Sequence, residues 1–148
     1  MIFNLTMFSL ADRLRRAVMS KRLAEEKQTS LKEREQREVA EFCANVIAPT
    51  LEEMQREWER LGRKVSLYQD ATIFHVTVWH ERIMEFDYSI EACRHKRRSR
   101  RYGYVHPEAM TYKVESRRVY SVKEIRRTDR NRFAKQLAEQ YRQSLLSR

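Results

Sequence analysis

Glycine, proline and cysteine are scarce in this chain, with two of each among 148 residues. Glycine tolerates left-handed backbone and lets a phosphate approach the main chain. So low a count excludes a glycine-rich phosphate loop and leaves little material for tight turns or strained backbone. With few prolines, long regular elements run uninterrupted. Two cysteines, Cys43 and Cys93, cannot build a disulfide framework; they read as small apolar side chains in a reducing, cytoplasmic setting. No window approaches ~18 consecutive apolar residues, so no helix is expected to span a bilayer. A nucleophile elbow, a P-loop, a paired-histidine zinc signature and a dinucleotide fingerprint are all missing. Cys93, His95 and His106 match no zinc spacing, and the positive charge around them opposes a cation. Glu85, Asp87 and Glu91 share one strand face, as alternating polar positions do, without the split environments that acid–base chemistry needs. No catalytic residue, metal ligand or cofactor site is therefore expected.

What is present is charge. Charged residues make up 35% of the chain and hydrophobic residues 41%, enough for one core in a chain of this length. The net charge is +10, and six of those charges come from one stretch: Arg94, Lys96, Arg97, Arg98, Arg100 and Arg101. Such a cluster attracts anions, and Tyr102 and Tyr104 behind it could stack on exposed bases. Equally, the two tyrosines resume the core face of a strand, and the cluster is one local connector.

Hydrophobic spacing sets the elements. Residues from Ser9 to Gly62 read as helix. Leu10, Leu14, Ala17 and Val18 follow helical spacing, whereas between Ala24 and Glu38 the only large apolar residue is Leu31. Phe42, Cys43, Val46 and Ile47 resume a stripe, Pro49 marks a kink or restart with Thr50 and Glu53 at capping-box spacing, and Leu51, Met54, Trp58 and Leu61 continue to Gly62 as C-cap. Strands follow. Val65 and Leu67 open one. In Thr72–His80, Phe74, Val76 and Val78 alternate with His75, Thr77 and Trp79, and Glu81–Arg82 makes a hairpin turn. Met84, Phe86, Tyr88, Ile90 and Ala92 alternate with polar residues in the clearest strand of the chain. Residues 109–124 hold one or two more strands, and Thr128 or Asp129 caps a last helix carrying Phe133, Leu137, Tyr141 and Leu145.

The pattern predicts an α+β fold: a long N-terminal helical region kinked near Pro49, an antiparallel meander of about four strands, and a C-terminal helix, with the helices on one sheet face. Residues 1–38 are expected to form a helical arm and residues 39–148 a single domain. Trp79, with His75 beside it on the face away from the helices, and the apolar start containing Phe3 and Phe8 are the candidate interface. These features point first to a non-catalytic interaction or scaffolding module that self-associates, a dimer being the simplest form. Nucleic-acid binding through residues 94–101 is the alternative. The second alternative is a membrane surface held by residues 1–23, where Arg13, Arg15, Arg16, Lys21 and Arg22 face a single acid, Asp12.

Overall fold

The computed structural model describes residues 2–96 and 116–147, with side chains from Ser9 onward. The chain divides into two compact units, Met1–Glu35 and Gln36–Arg148. Helix α1 spans Ile2–Phe42 and runs into a π-helical turn at Cys43–Ile47, followed by helix α2 at Ala48–Arg60. The Ala48 N–H bonds back to the Cys43 carbonyl, the wider spacing of a π-turn. Pro49 then falls in the first turn of α2, where a missing N–H costs least. Thr50 is thus buried inside a continuing helix and caps nothing. Helix α2 ends as Gly62 predicts. Gly62 takes φ +85°, its N–H bonds the Glu59 carbonyl at 3.0 Å, and the Arg63 N–H bonds the Trp58 carbonyl at 2.9 Å, a Schellman closure.

The second unit is built on a four-stranded sheet in the order β1–β2–β3–β4: Lys64–Asp70, Ile73–His80, Ile83–Ala92 and Ser116–Tyr120. The first three strands are antiparallel, as their alternation predicts. The fourth pairs parallel to β3, Tyr88 opposite Ser116 through Ala92 opposite Tyr120, so the sheet is mixed and the meander ends at three strands. A parallel neighbour cannot follow through a short hairpin; here 23 residues separate Ala92 from Ser116, enough for the chain to return to the same end. Residues 109–115 lie outside those described.

Short helix α3 (Val122–Ile125) and helix α4 (Arg130–Leu146) close the chain. Asp129 caps α4, its carboxylate accepting from the Arg132 N–H at 2.8 Å. The core lies between one sheet face and the helices. Phe74, Val76, Val78, Phe86, Tyr88 and Ile90 meet Phe42, Ile47, Leu51, Trp58, Phe133 and Leu137. Two aromatic groups anchor it. Trp58, Phe86 and Tyr141 have centroids 5.3–6.0 Å apart. Phe42, Tyr120 and Phe133 lie 5.6–6.4 Å apart. On the flank, the Arg126 guanidinium forks onto the Glu38 carboxylate at 3.1 and 3.3 Å, tying α3 to the last turns of α1.

Scarce glycine does not prevent tight turns after all. Ala71 and Glu81 open the two-residue turns of the meander with φ of 51° and 58°, backbone that side chains other than glycine rarely adopt.

Candidate functional site

The described residues of the first unit are all helix, and their large apolar side chains stay in solvent. Leu10, Leu14, Val18, Met19 and Leu23 are each between 57% and 63% exposed. At about 100° per residue, Leu10, Leu14 and Val18 form one arc, and Met19 and Leu23 form another about 160° away. Arg15 and Arg22 separate the arcs on one side, Arg13 and Arg16 on the other, and Arg16 pairs with Asp12 at 3.0 Å. Further along, the polar stretch holds itself together locally, as where the Thr29 hydroxyl donates to the Glu25 carbonyl at 2.9 Å. The side chains of Phe3 and Phe8, predicted to share in an interface, lie outside those described.

Of the basic stretch, Arg94 and Lys96 fall within the described residues; Arg97, Arg98, Arg100 and Arg101, with Tyr102 and Tyr104, fall outside them. The start of the stretch is fixed beside β4. The Cys93 N–H donates to the Tyr120 carbonyl at 2.9 Å, and the Val122 N–H donates to the Arg94 carbonyl at 3.5 Å. The Lys96 ammonium pairs with the Glu124 carboxylate of α3, so this cation is matched within the chain.

On the sheet face away from the helices, strand alternation places Trp79 and His75 together, and Trp79 is half-buried. His75 is 8% exposed, and its Nε2 lies 2.5 Å from Asp87 Oδ1. Asp87 stands opposite Thr77 rather than His75, so the pair is a cross-strand diagonal. Reading each strand alone treats Asp87 as a solvated acid; the two-residue hairpin register was the signal that could have joined it to His75. The carboxylate orients the imidazole as in an acid–base dyad. A nucleophile–base triad would also need the other ring nitrogen to meet a nucleophile, and among the described residues His75 Nδ1 is buried with no hydrogen-bond partner. Among the described residues no three His, Cys, Asp or Glu side chains gather as metal ligands. Burial pushes the Cys43 thiol up to about 11, and burial with the Glu91 charge raises that of Cys93, so neither is activated as a thiolate.

Glu85 departs from the alternation. The register slips between Val78 and Trp79, pairing Val78 with Phe86 and Trp79 with Met84, so Glu85 is bulged out of the ladder. The bulge turns its carboxylate to the helix side. There the Tyr141 hydroxyl donates at 2.7 Å, Arg63 approaches at 3.2 Å and His80 at 3.6 Å. Burial works to raise the Glu85 carboxyl, but Tyr141, Arg63 and His80 outweigh it and hold it below the ordinary carboxylate range. In return, burial and the bond to Glu85 push the Tyr141 hydroxyl up to about 12. Every partner in this group is internal, which marks it as structural.

A cleft of about 290 Å³ opens between the helix-side face of β3 and β4 and helix α4. Tyr88, Arg118 and Tyr120 form its sheet wall, and Lys135, Gln136, Glu139 and Gln140 its helix wall. None of these residues stood out from sequence, because the strand and the helix meet only in the fold.

No helix among the described residues is long and apolar enough to cross a membrane. Compared with known proteins, the chain matches no family model, no curated protein and no solved structure.

Proposed function

We propose that the protein is a non-catalytic interaction module that self-associates through its N-terminal helical unit. One observation carries this reading: Leu10, Leu14, Val18, Met19 and Leu23 all stay mostly exposed in the single chain. Large apolar side chains left in solvent along two arcs of one helix are surface available to a partner. An isolated helix also gains most of its stability from packing an apolar face against something else.

The placement of the arcs favours a second copy over a lipid surface. A helix lying on a membrane needs one apolar side, with charge on the other. This helix carries its large apolar residues on two sides about 160° apart, reckoned at 3.6 residues per turn, with Lys21 among the first set and Asp12 among the second, a two-sided arrangement that suits packing between helices better than lying on a lipid surface. A second copy covers Leu10, Leu14 and Val18, and the arc at Met19 and Leu23 remains for a further contact.

Light scattering on the full-length chain tests this. The wild type should have at least twice the 18.1 kDa chain mass at micromolar concentration. The triple variant Leu10→Ser, Leu14→Ser, Val18→Ser should run as a single chain with an unchanged thermal transition for the second unit. A wild type of 18.1 kDa at every concentration would refute the proposal. Association retained in the triple variant would move the interface elsewhere.

A further inference from the structure

We infer that the cleft between β4 and α4 is a binding site for a small organic oxyanion, a carboxylate or a phosphate monoester. The inference is independent of self-association, since the cleft lies wholly in the second unit. At about 290 Å³ it lies just below the usual range for ligand pockets, which suits a small metabolite rather than a polymer.

The argument rests on its donors and acceptors. The Gln136 carbonyl oxygen already accepts from the Tyr120 hydroxyl at 2.5 Å, so the remaining polar group of that amide is its NH2, a donor. Arg118 and Lys135 add two cations, which can only donate. Against them the cleft wall sets one carboxylate, Glu139, and the Gln140 amide, which can serve either way. Among the described residues the lining is thus richer in donors than in acceptors and carries a net positive charge, the complement of an oxyanion.

Arg118 is also held ready. Its guanidinium lies 5.1 Å from the centroid of the Tyr120 ring, while its tie to Glu124 is a single contact at 3.4 Å. Resting over the aromatic ring holds the guanidinium near the cleft before a ligand arrives, and so lowers the ordering cost of binding. Glu124 is in turn shared with Lys96, which reduces its hold on Arg118. Burial of Tyr88 and Tyr120 raises both hydroxyls above their ordinary range, so they remain protonated beside a bound anion.

Nuclear magnetic resonance on the full-length chain with three probes of one body, benzoate, phenyl phosphate and benzyl alcohol, tests the site. Both anions should shift resonances of Tyr88, Arg118, Tyr120 and Gln136, and the uncharged alcohol should not; the tighter anion names the group recognised. Arg118→Ala and, separately, Lys135→Ala should each weaken binding roughly tenfold, as loss of one charge-assisted bond does. Arg82→Ala, in the exposed turn after β2, should change nothing. Equal shifts from benzyl alcohol, shifts spread over the basic surface and insensitive to Arg118→Ala, or no shift by about 10 mM would each overturn the assignment.

Discussion

The Tyr141 hydroxyl, on the last helix, donates to the Glu85 carboxylate at 2.7 Å, across the interface between sheet and helix. Glu85 reaches it because one bulge turns an acid from the outer face of β3 to the inner one. The pair makes stability depend on pH in a definite direction. The folded-state Glu85 carboxyl lies below its unfolded value, near 4.3. Its contribution is therefore complete above that value and lost as pH falls through the folded one. Glu85→Gln should cost about 1–3 kcal/mol at neutral pH and flatten the acid limb of stability against pH. Urea midpoints across the acid range measure both; a variant whose acid limb parallels the wild type would contradict the assignment.

Trp58 joins Phe86 and Tyr141 in the aromatic group under that bond, and it is buried. Trp58→Ala should destabilise the second unit by about 3–5 kcal/mol through lost burial and the cavity left behind. Chemical unfolding followed by far-ultraviolet circular dichroism reads the effect without relying on the fluorescence of the deleted residue.

The two hairpin turns store backbone strain that glycine would relieve. Ala71→Gly and Glu81→Gly should each stabilise the protein by about 0.5–1 kcal/mol, since positive φ costs an L-residue more than glycine loses in chain entropy. Gly62→Ala should do the reverse, by about 1 kcal/mol. A Cβ at Gly62 meets nothing within 4 Å, so that cost is purely conformational. Thermal melts of the three single variants measure the signs, and a stabilised Gly62→Ala would contradict the left-handed assignment.

What the sequence discloses follows from how local its signals are. Alternation from Phe74 to Val78 and from Phe86 to Ala92 describes the strands and their buried face, because period two is a property of a single strand. Helical spacing does the same for Trp58, Phe133 and Leu137. The misses all depend on two elements meeting. The parallel pairing of β4 with β3 joins two strands far apart in sequence. The inward turn of Glu85 comes from a register slip between β2 and β3. The His75–Asp87 contact is a diagonal across a hairpin. The cleft joins Arg118 on β4 to Lys135 on α4, positions that no spacing rule connects. In α1 the helical spacing of Leu10, Leu14 and Val18 was legible, whereas the exposure of Met19 and Leu23 came only from the fold.

Salt separates self-association from any attraction to anions. Residues 10–23 carry five basic residues and one acid, so two copies of this helix repel each other electrostatically while their leucines attract. Added salt screens that repulsion and tightens a self-associated form, whereas it weakens binding to nucleic acid or to an acidic lipid surface. Sedimentation velocity of the full-length chain across a salt series is therefore the most direct measurement. Greasy helices meeting one another would give a mass above 18.1 kDa that grows more populated as salt rises. A lone 18.1 kDa particle at low and high salt alike would contradict it.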